Sequence, residues 1–85
     1  MIDVEVKHLS EHGRFEAVVD GVTAFLTYQQ SPGRVAMTHT IVPAEIGGRG
    51  VAGRLTATAV DWARAQGLEI DPQCSYVARW LRQNG

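Results

Sequence analysis

The chain has 85 residues, 45% of them hydrophobic and 20% charged, and a formal charge of −1. A chain of that length is one small domain with room for one site, and its ordinary hydrophobicity excludes an intrinsically disordered chain. Near-neutral charge provides no basic footprint for nucleic acid, which is recognised first by neutralising phosphates.

Ile2, Val4, Val6 and His8 alternate with Asp3, Glu5 and Lys7. That period of two predicts a half-buried strand. Ser10 to Gly13 read as a loop, and His8 and His12 as solvated side chains. Phe15, Ala17 and Val19 alternate next and run into Asp20-Gly21. Asp-Gly favours the type I′ hairpin turn, whose two central residues both take positive φ. Val22, Ala24, Leu26 and Tyr28 fall on one face of the returning strand, and Ser31-Pro32-Gly33-Arg34 forms a second turn. Val35, Met37, His39 and Ile41 then share one strand face, with Ala36, Thr38, Thr40 and Val42 on the other, up to Pro43.

The period changes after that proline. Val51, Leu55, Ala59 and Trp62 recur at spacings of four, four and three. They predict an amphipathic helix over about 48–66, closed by Gly67 as a C-terminal cap. Leu68-Glu69-Ile70 is a short strand, and Pro72 opens a last helix with Tyr76, Val77, Trp80 and Leu81 on its apolar side. Both tryptophans read as core, and Arg79 and Arg82 as a solvated face or a contact for an anionic ligand. Four antiparallel-looking strands, a crossover helix, a strand and a helix make an α+β domain. The crossover sets strands 35–42 and 68–71 parallel.

No apolar run approaches the ~20 residues a transmembrane helix needs. The start Met1-Ile2-Asp3-Val4-Glu5 alternates instead of leading into an apolar signal segment. The single cysteine excludes a disulfide framework, and His8, His12 and His39 lack a supporting set of metal ligands. A lone thiol without a signal fits a reducing cytoplasm.

Gly47-Gly48-Arg49-Gly50-Val51-Ala52-Gly53-Arg54 carries the most chemical information. A nucleoside-triphosphate loop is excluded, because Arg54 stands where lysine is required and Leu55 where a hydroxyl holds magnesium. The pattern Gly48-x-Gly50-x-x-Gly53 matches a dinucleotide fingerprint by letter. The strands before it form hairpins, however, and the chain is too short for a doubly wound sheet. Two readings stay open. One is a cradle of backbone N–H groups for a pyrophosphate at a helix N-terminus, with Arg49 adding a mobile positive charge. The other is a plain helix-entry loop.

The pattern His39-Thr40-Ile41-Val42-Pro43, then Gly48-x-Gly50-Val51-Ala52, then Leu55, Ala59, Trp62-Ala63-Arg64 and Gly67-Leu68, closes with Pro72-x-Cys74-Ser75-Tyr76-Val77. With the opening Phe15-Glu16, Asp20-Gly21, Ala24 and Leu26-x-Tyr28, it resembles the very small acetyltransferase-like proteins of the GNAT superfamily over nearly its whole length. The resemblance implies one domain over 1–85, with a mixed, mainly antiparallel sheet, one splayed parallel strand pair and two helices. It implies acetyl-CoA as co-substrate, its pyrophosphate on the amides of Gly48, Arg49, Gly50, Val51 and Ala52 and its pantetheine arm along Ile41-Val42. It implies N-acetyl transfer to an amine, on a small molecule or a protein, that the sequence does not identify.

Cys74, two residues after Pro72 and at a helix start, feels the positive helix end that lowers a thiol pKa. It either accepts the acetyl group as a thioester, lines the channel for direct transfer, or is a small buried hydrophobe. His39 is either a packed histidine or the general base for the incoming amine. The alternative to an enzyme is a CoA-binding or protein-interaction module of the same fold without catalysis, and the oligomeric state has no signature in the sequence.

Overall fold

Alternation dominates the first half of the chain, and a meander follows from it. The computed structural model describes residues 4–84, so Met1, Ile2 and Asp3 of the expected first strand, and Gly85, lie outside the described residues. The strands are β1 (Val6–Leu9), β2 (Arg14–Val19), β3 (Val22–Ser31), β4 (Arg34–Ile41) and β5 (Glu69–Pro72); the helices are α1 (Val51–Ala65) and α2 (Ser75–Asn84). Short 3-10 turns occupy Ser10–His12 and Ala44–Ile46. The sheet order is β1-β2-β3-β4-β5, the same as the chain order. The first four strands pair antiparallel and β5 joins β4 in parallel. No helix among the described residues is long and apolar enough to cross a membrane.

The turns take the conformations their residues favour. Asp20 and Gly21 have φ of 52° and 76°, as a type I′ hairpin requires. Gly67 ends α1 in the left-handed region, with Gly67 N–H donating to Arg64 O and Leu68 N–H to Ala63 O. That is the Schellman arrangement, which satisfies two carbonyls the helix would leave open.

One face of the sheet is buried. Phe15, Ala17, Ala24, Leu26, Val35 and Met37 meet Val51, Leu55, Ala59, Val60 and Ala63 of α1, with Val77 of α2 beside them. Each fully buried aliphatic side chain contributes roughly 1.5–3 kcal/mol of transfer free energy. Thr56 is buried in this face without an orphan hydroxyl, because it donates to Ala52 O at 2.8 Å. The other face carries Val18 and Ile41 exposed, and Phe25 under the Arg14 guanidinium at 4.1 Å.

Two features depart from the alternation. The first is His8. Its ring stacks on Phe15 at 4.1 Å between centroids, meets the edge of Trp62 at 4.8 Å, and hydrogen-bonds through Nε2 to Tyr28 Oη at 2.6 Å. His8 keeps its inward position on β1 and remains exposed to solvent, as expected, while its ring packs on these aromatic side chains. The second is Pro72, which ends β5 opposite Met37 instead of opening the last helix; α2 begins at Ser75. Its ring removes one N–H donor at the outer strand of the sheet, where few are needed.

Two predictions follow from this packing. Gly13 has φ of +62°, and a Cβ there would stand 2.8 Å from Tyr28 O. Gly13→Ala combines left-handed strain of about 1–2 kcal/mol with a main-chain clash, and thermal unfolding should show a midpoint lower by roughly 10 °C. Burial of the His8 ring lowers its pKa from 6.5, so the unfolded chain takes up the proton first. The contribution of His8 is complete above pH 6.5 and is lost as pH falls below that value toward the folded pKa. Thermal unfolding between about pH 7.5 and about pH 5.5 should destabilise the wild-type chain more than His8→Gln.

Candidate functional site

The site is organised by an irregularity in β4. Leu26 pairs with Thr40 and Thr27 with His39, but Tyr28 pairs with Met37, so Thr38 is an extra residue on β4. This is a β-bulge, in which two residues oppose one. It is held by the hydroxyls of Thr27 and Thr38, 2.7 Å apart, and by the Thr38 hydroxyl donating to Thr27 O at 3.2 Å.

The extra residue shifts the parity of everything after it. Before the bulge, Val35 and Met37 face the core. After it, Thr40 takes the inward position opposite buried Leu26, while His39 and Ile41 turn to the exposed face. The expectation of one face holding Val35, Met37, His39 and Ile41 is thus corrected. His39 lies on the opposite side of the sheet from Thr40 and is open to solvent.

The bulge also marks where β4 and β5 part. Their parallel pairing runs from Arg34 with Glu69 to Met37 with Pro72 and stops there. Cys74 N–H then donates to Met37 O at 2.9 Å, and the chain turns into α2. From Thr38 to Ile41, β4 is paired with β3 alone, leaving an open strand edge beside the start of α2.

Cys74 sits at that fork, half-buried. Its thiol donates to Thr40 Oγ1 at 3.5 Å, and Ala78 N–H donates to Cys74 O at the first turn of α2. Burial alone pushes the thiol pKa up. The Thr40 hydroxyl and the backbone N–H groups of Val77, Tyr76 and Thr40 more than offset this by stabilising the thiolate, leaving the pKa below that of a free thiol. Cys74 is therefore a half-buried free thiol with hydrogen-bond donors around its sulfur. Sequence reasoning had Cys74 at a helix start but assigned no part to Thr40 at the thiol, because only the bulge turns Thr40 toward it.

The glycine turn lies at the far end of the open edge. Gly48 and Gly50 have φ of 76° and 78°. Gly50 precedes α1, which begins at Val51 and not at 48, and no side chain caps the helix. Among the described residues, the backbone N–H groups of 48 through 53 find no acceptor in the chain; the first bonded amide is that of Arg54, to Gly50 O at 3.1 Å. Six successive donors at the positive end of a fifteen-residue helix form an anion site in the ordinary electrostatic sense. A Cβ at Gly48 or Gly50 would meet nothing within 4 Å. These glycines serve the backbone conformation and open access, not close packing.

The amides border an open depression of about 280 Å³, walled by Val42, Gly47, Ala52 and Tyr76. A larger one, about 490 Å³, lies on the other side of α1 against Val4, Glu5, Val6, Arg54 and Thr58. It has neither the donor row nor the thiol, so size does not identify the site here. Of the expected residues, Val42, Gly48, Gly50 and Ala52 border the depression. Val51 borders it too, although its side chain is buried, while Ile41 is exposed and does not. Arg49 is paired in this structure: its Nη1 lies 2.5 Å from Asp20 Oδ2. Tyr76 joins the wall without having been predicted there, its hydroxyl 3.5 Å from where a Cβ on Gly53 would sit.

Similarity to known proteins agrees with this geometry. Residues 14–85 match the family described as GCN5-related N-acetyl-transferase. The protein NATD1 of Gallus gallus is 27% identical over 84 residues, covering 95% of this chain and 76% of that protein, and NATD1 of Mus musculus matches to the same extent. The solution structure of a GCN5-like protein from Staphylococcus aureus, a candidate N-acetyltransferase, superposes with a TM-score of 0.73. It is 29% identical and covers 98% of this chain and 82% of that one. A mixed five-stranded sheet with one parallel pair, a glycine-rich turn into the crossover helix and a family match over most of the chain lead to one conclusion: this chain belongs to the GCN5-related N-acetyltransferase family.

Proposed function

We propose that this acetyltransferase uses acetyl-CoA as donor, passes the acetyl group through Cys74, and delivers it to an amine. The observation that carries the reading is that β4 has the Cys74 thiol against Thr40 and, two residues on, Val42 bordering the glycine turn, which brings three elements to one strand edge. These are the unpartnered amides of residues 48–53, the open β4 edge from Thr38 to Ile41, and the Cys74 thiol with its lowered pKa.

A pyrophosphate fits the glycine turn because its charge meets six N–H donors and a helix dipole of opposite sign. The pantetheine arm carries amide groups of its own. The open β4 edge offers them main-chain partners, as an added strand would use. An arm lying along that edge ends at the fork where Cys74 stands.

There the chemistry is nucleophilic acyl transfer. The Cys74 thiolate attacks the thioester carbonyl; an Sγ–carbon bond forms, the carbon–sulfur bond to CoA breaks, and CoA leaves as a thiol with the proton that Cys74 gave up. The amine then displaces Sγ, forming the amide, and a proton returns to Cys74. Thr40 and the first amides of α2 hold the sulfur in its charged form before attack. His39, on the other face of the sheet, has no place beside Cys74 in this scheme.

Isothermal titration of acetyl-CoA and CoA into the reduced protein tests the binding half. Gly50→Val should weaken CoA by tenfold or more, because a left-handed position refuses a β-branched residue and re-aims its neighbours; one charged hydrogen bond lost is about 1.5–3 kcal/mol. Unchanged affinity would overturn the cradle. Cys74→Ala should keep CoA affinity and lose the acetyl-protein adduct seen by mass spectrometry. Turnover without that adduct means direct transfer, and no turnover in either protein means a binding module. Thr40→Val should move the alkylation pH profile of Cys74 upward, since it removes one donor to the thiolate.

A further inference from the structure

The glycine turn is tied to a distant part of the chain by one ion pair. Arg49 stands between the two left-handed glycines, and its guanidinium meets the carboxylate of Asp20, the first turn residue of the β2–β3 hairpin, at 2.5 Å. The two residues are 29 apart in sequence. Both side chains are accessible, Asp20 at 72% and Arg49 at 40%. The nearest positive side chain to the anion site is therefore neutralised by a carboxylate before any ligand arrives.

We infer that Asp20 acts as a competing counter-ion for Arg49: a bound polyphosphate takes the guanidinium from Asp20, and the exchange sets ligand affinity and its salt dependence. The inference rests on reading the glycine turn as the CoA phosphate site. Its physical basis is charge accounting at one loop. The amides of residues 48–53 are fixed donors and belong to the backbone. Arg49 is the one full charge in the turn, and it cannot make its best bidentate contact with phosphate while a carboxylate holds one edge of the fork. A pair this exposed is screened by water and weak enough to exchange. Asp20 is thus a positioning residue that acts through Arg49 and has no contact with the reacting atoms.

The hairpin makes a clean test available. Asp20 has φ of 52°, and asparagine tolerates that conformation as well as aspartate does, so Asp20→Asn keeps the turn and removes the charge. CoA titrated into wild type, Asp20→Asn, Arg49→Gln and the double variant, at about 0.05 M and about 0.5 M salt, closes a double-mutant cycle. Asp20→Asn should bind CoA about three- to fivefold more tightly at low salt. The gain should shrink at high salt and vanish in the Arg49→Gln background. An equal gain in that background would make Asp20 a distant repulsive charge and overturn the exchange. Weaker binding by Asp20→Asn would mean that Asp20 aims Arg49 at the ligand, and would overturn it as well. A wild-type chain that takes no CoA removes the phosphate-site reading and the inference together. A wild-type chain that binds CoA, with Asp20→Asn no tighter, removes the inference alone.

Discussion

One unpaired threonine decides what this sheet presents on each side. Strand side chains alternate strictly, so a single inserted residue exchanges the two faces for the rest of the strand. At Thr38 that exchange occurs midway along β4. Upstream, the inward positions go to Val35 and Met37 and build the core; downstream, the inward position goes to Thr40, beside a thiol. Without the insertion, His39 would face α1 and Thr40 would face water. The bulge is fastened by side chains of its own kind, the Thr27 and Thr38 hydroxyls, so it does not depend on a ligand to exist.

The same position divides a packed half of the molecule from a receptive half. Toward β5, strand pairing satisfies the main chain as far as Met37, whose carbonyl takes the Cys74 amide. Beyond it, the edge of β4 and the amides at the start of α1 remain available. Unpaired backbone groups are tolerable at a surface because water reaches them, and a ligand can replace that water with fixed partners. That half is anchored in the core by Ile46, Val51 and Val77, each fully buried.

Much of this was readable from residues alone. The spacing of Val51, Leu55 and Ala59 placed the buried face of α1, and Asp20-Gly21 placed the hairpin, because both signals are local. The parallel pairing of β4 with β5 followed from the crossover rule. The bulge was not readable: a period-two pattern assumes no insertion, and the Thr27–Thr38 contact spans 11 residues. The aromatic contacts of His8 were hidden for a similar reason. Its partners Phe15, Tyr28 and Trp62 come from three different elements, and no single strand reveals the stack. Pro72 gave a helix-start signal that an outer strand position satisfies equally well, since both tolerate a missing N–H. The Asp20 partner of Arg49 was hidden because a turn in sequence shows its neighbours and not the hairpin folded against it.

The match between strand order and chain order bears on how the site is held together. Four strands form a meander from hairpins and one short turn, with contacts between chain neighbours. β5 is the exception: it reaches β4 only after the whole of α1 has crossed the sheet, and it contributes four residues when it arrives. Closing a loop over that distance costs more chain entropy than closing any hairpin of the meander, and a ladder of four residue pairs secures it. The fork at Cys74 therefore rests on the elements that join the sheet last in chain order, a four-residue parallel strand and the helix after it. The contact of the thiol with Thr40 thus joins the segment that chain order adds last to a meander built from its own hairpins.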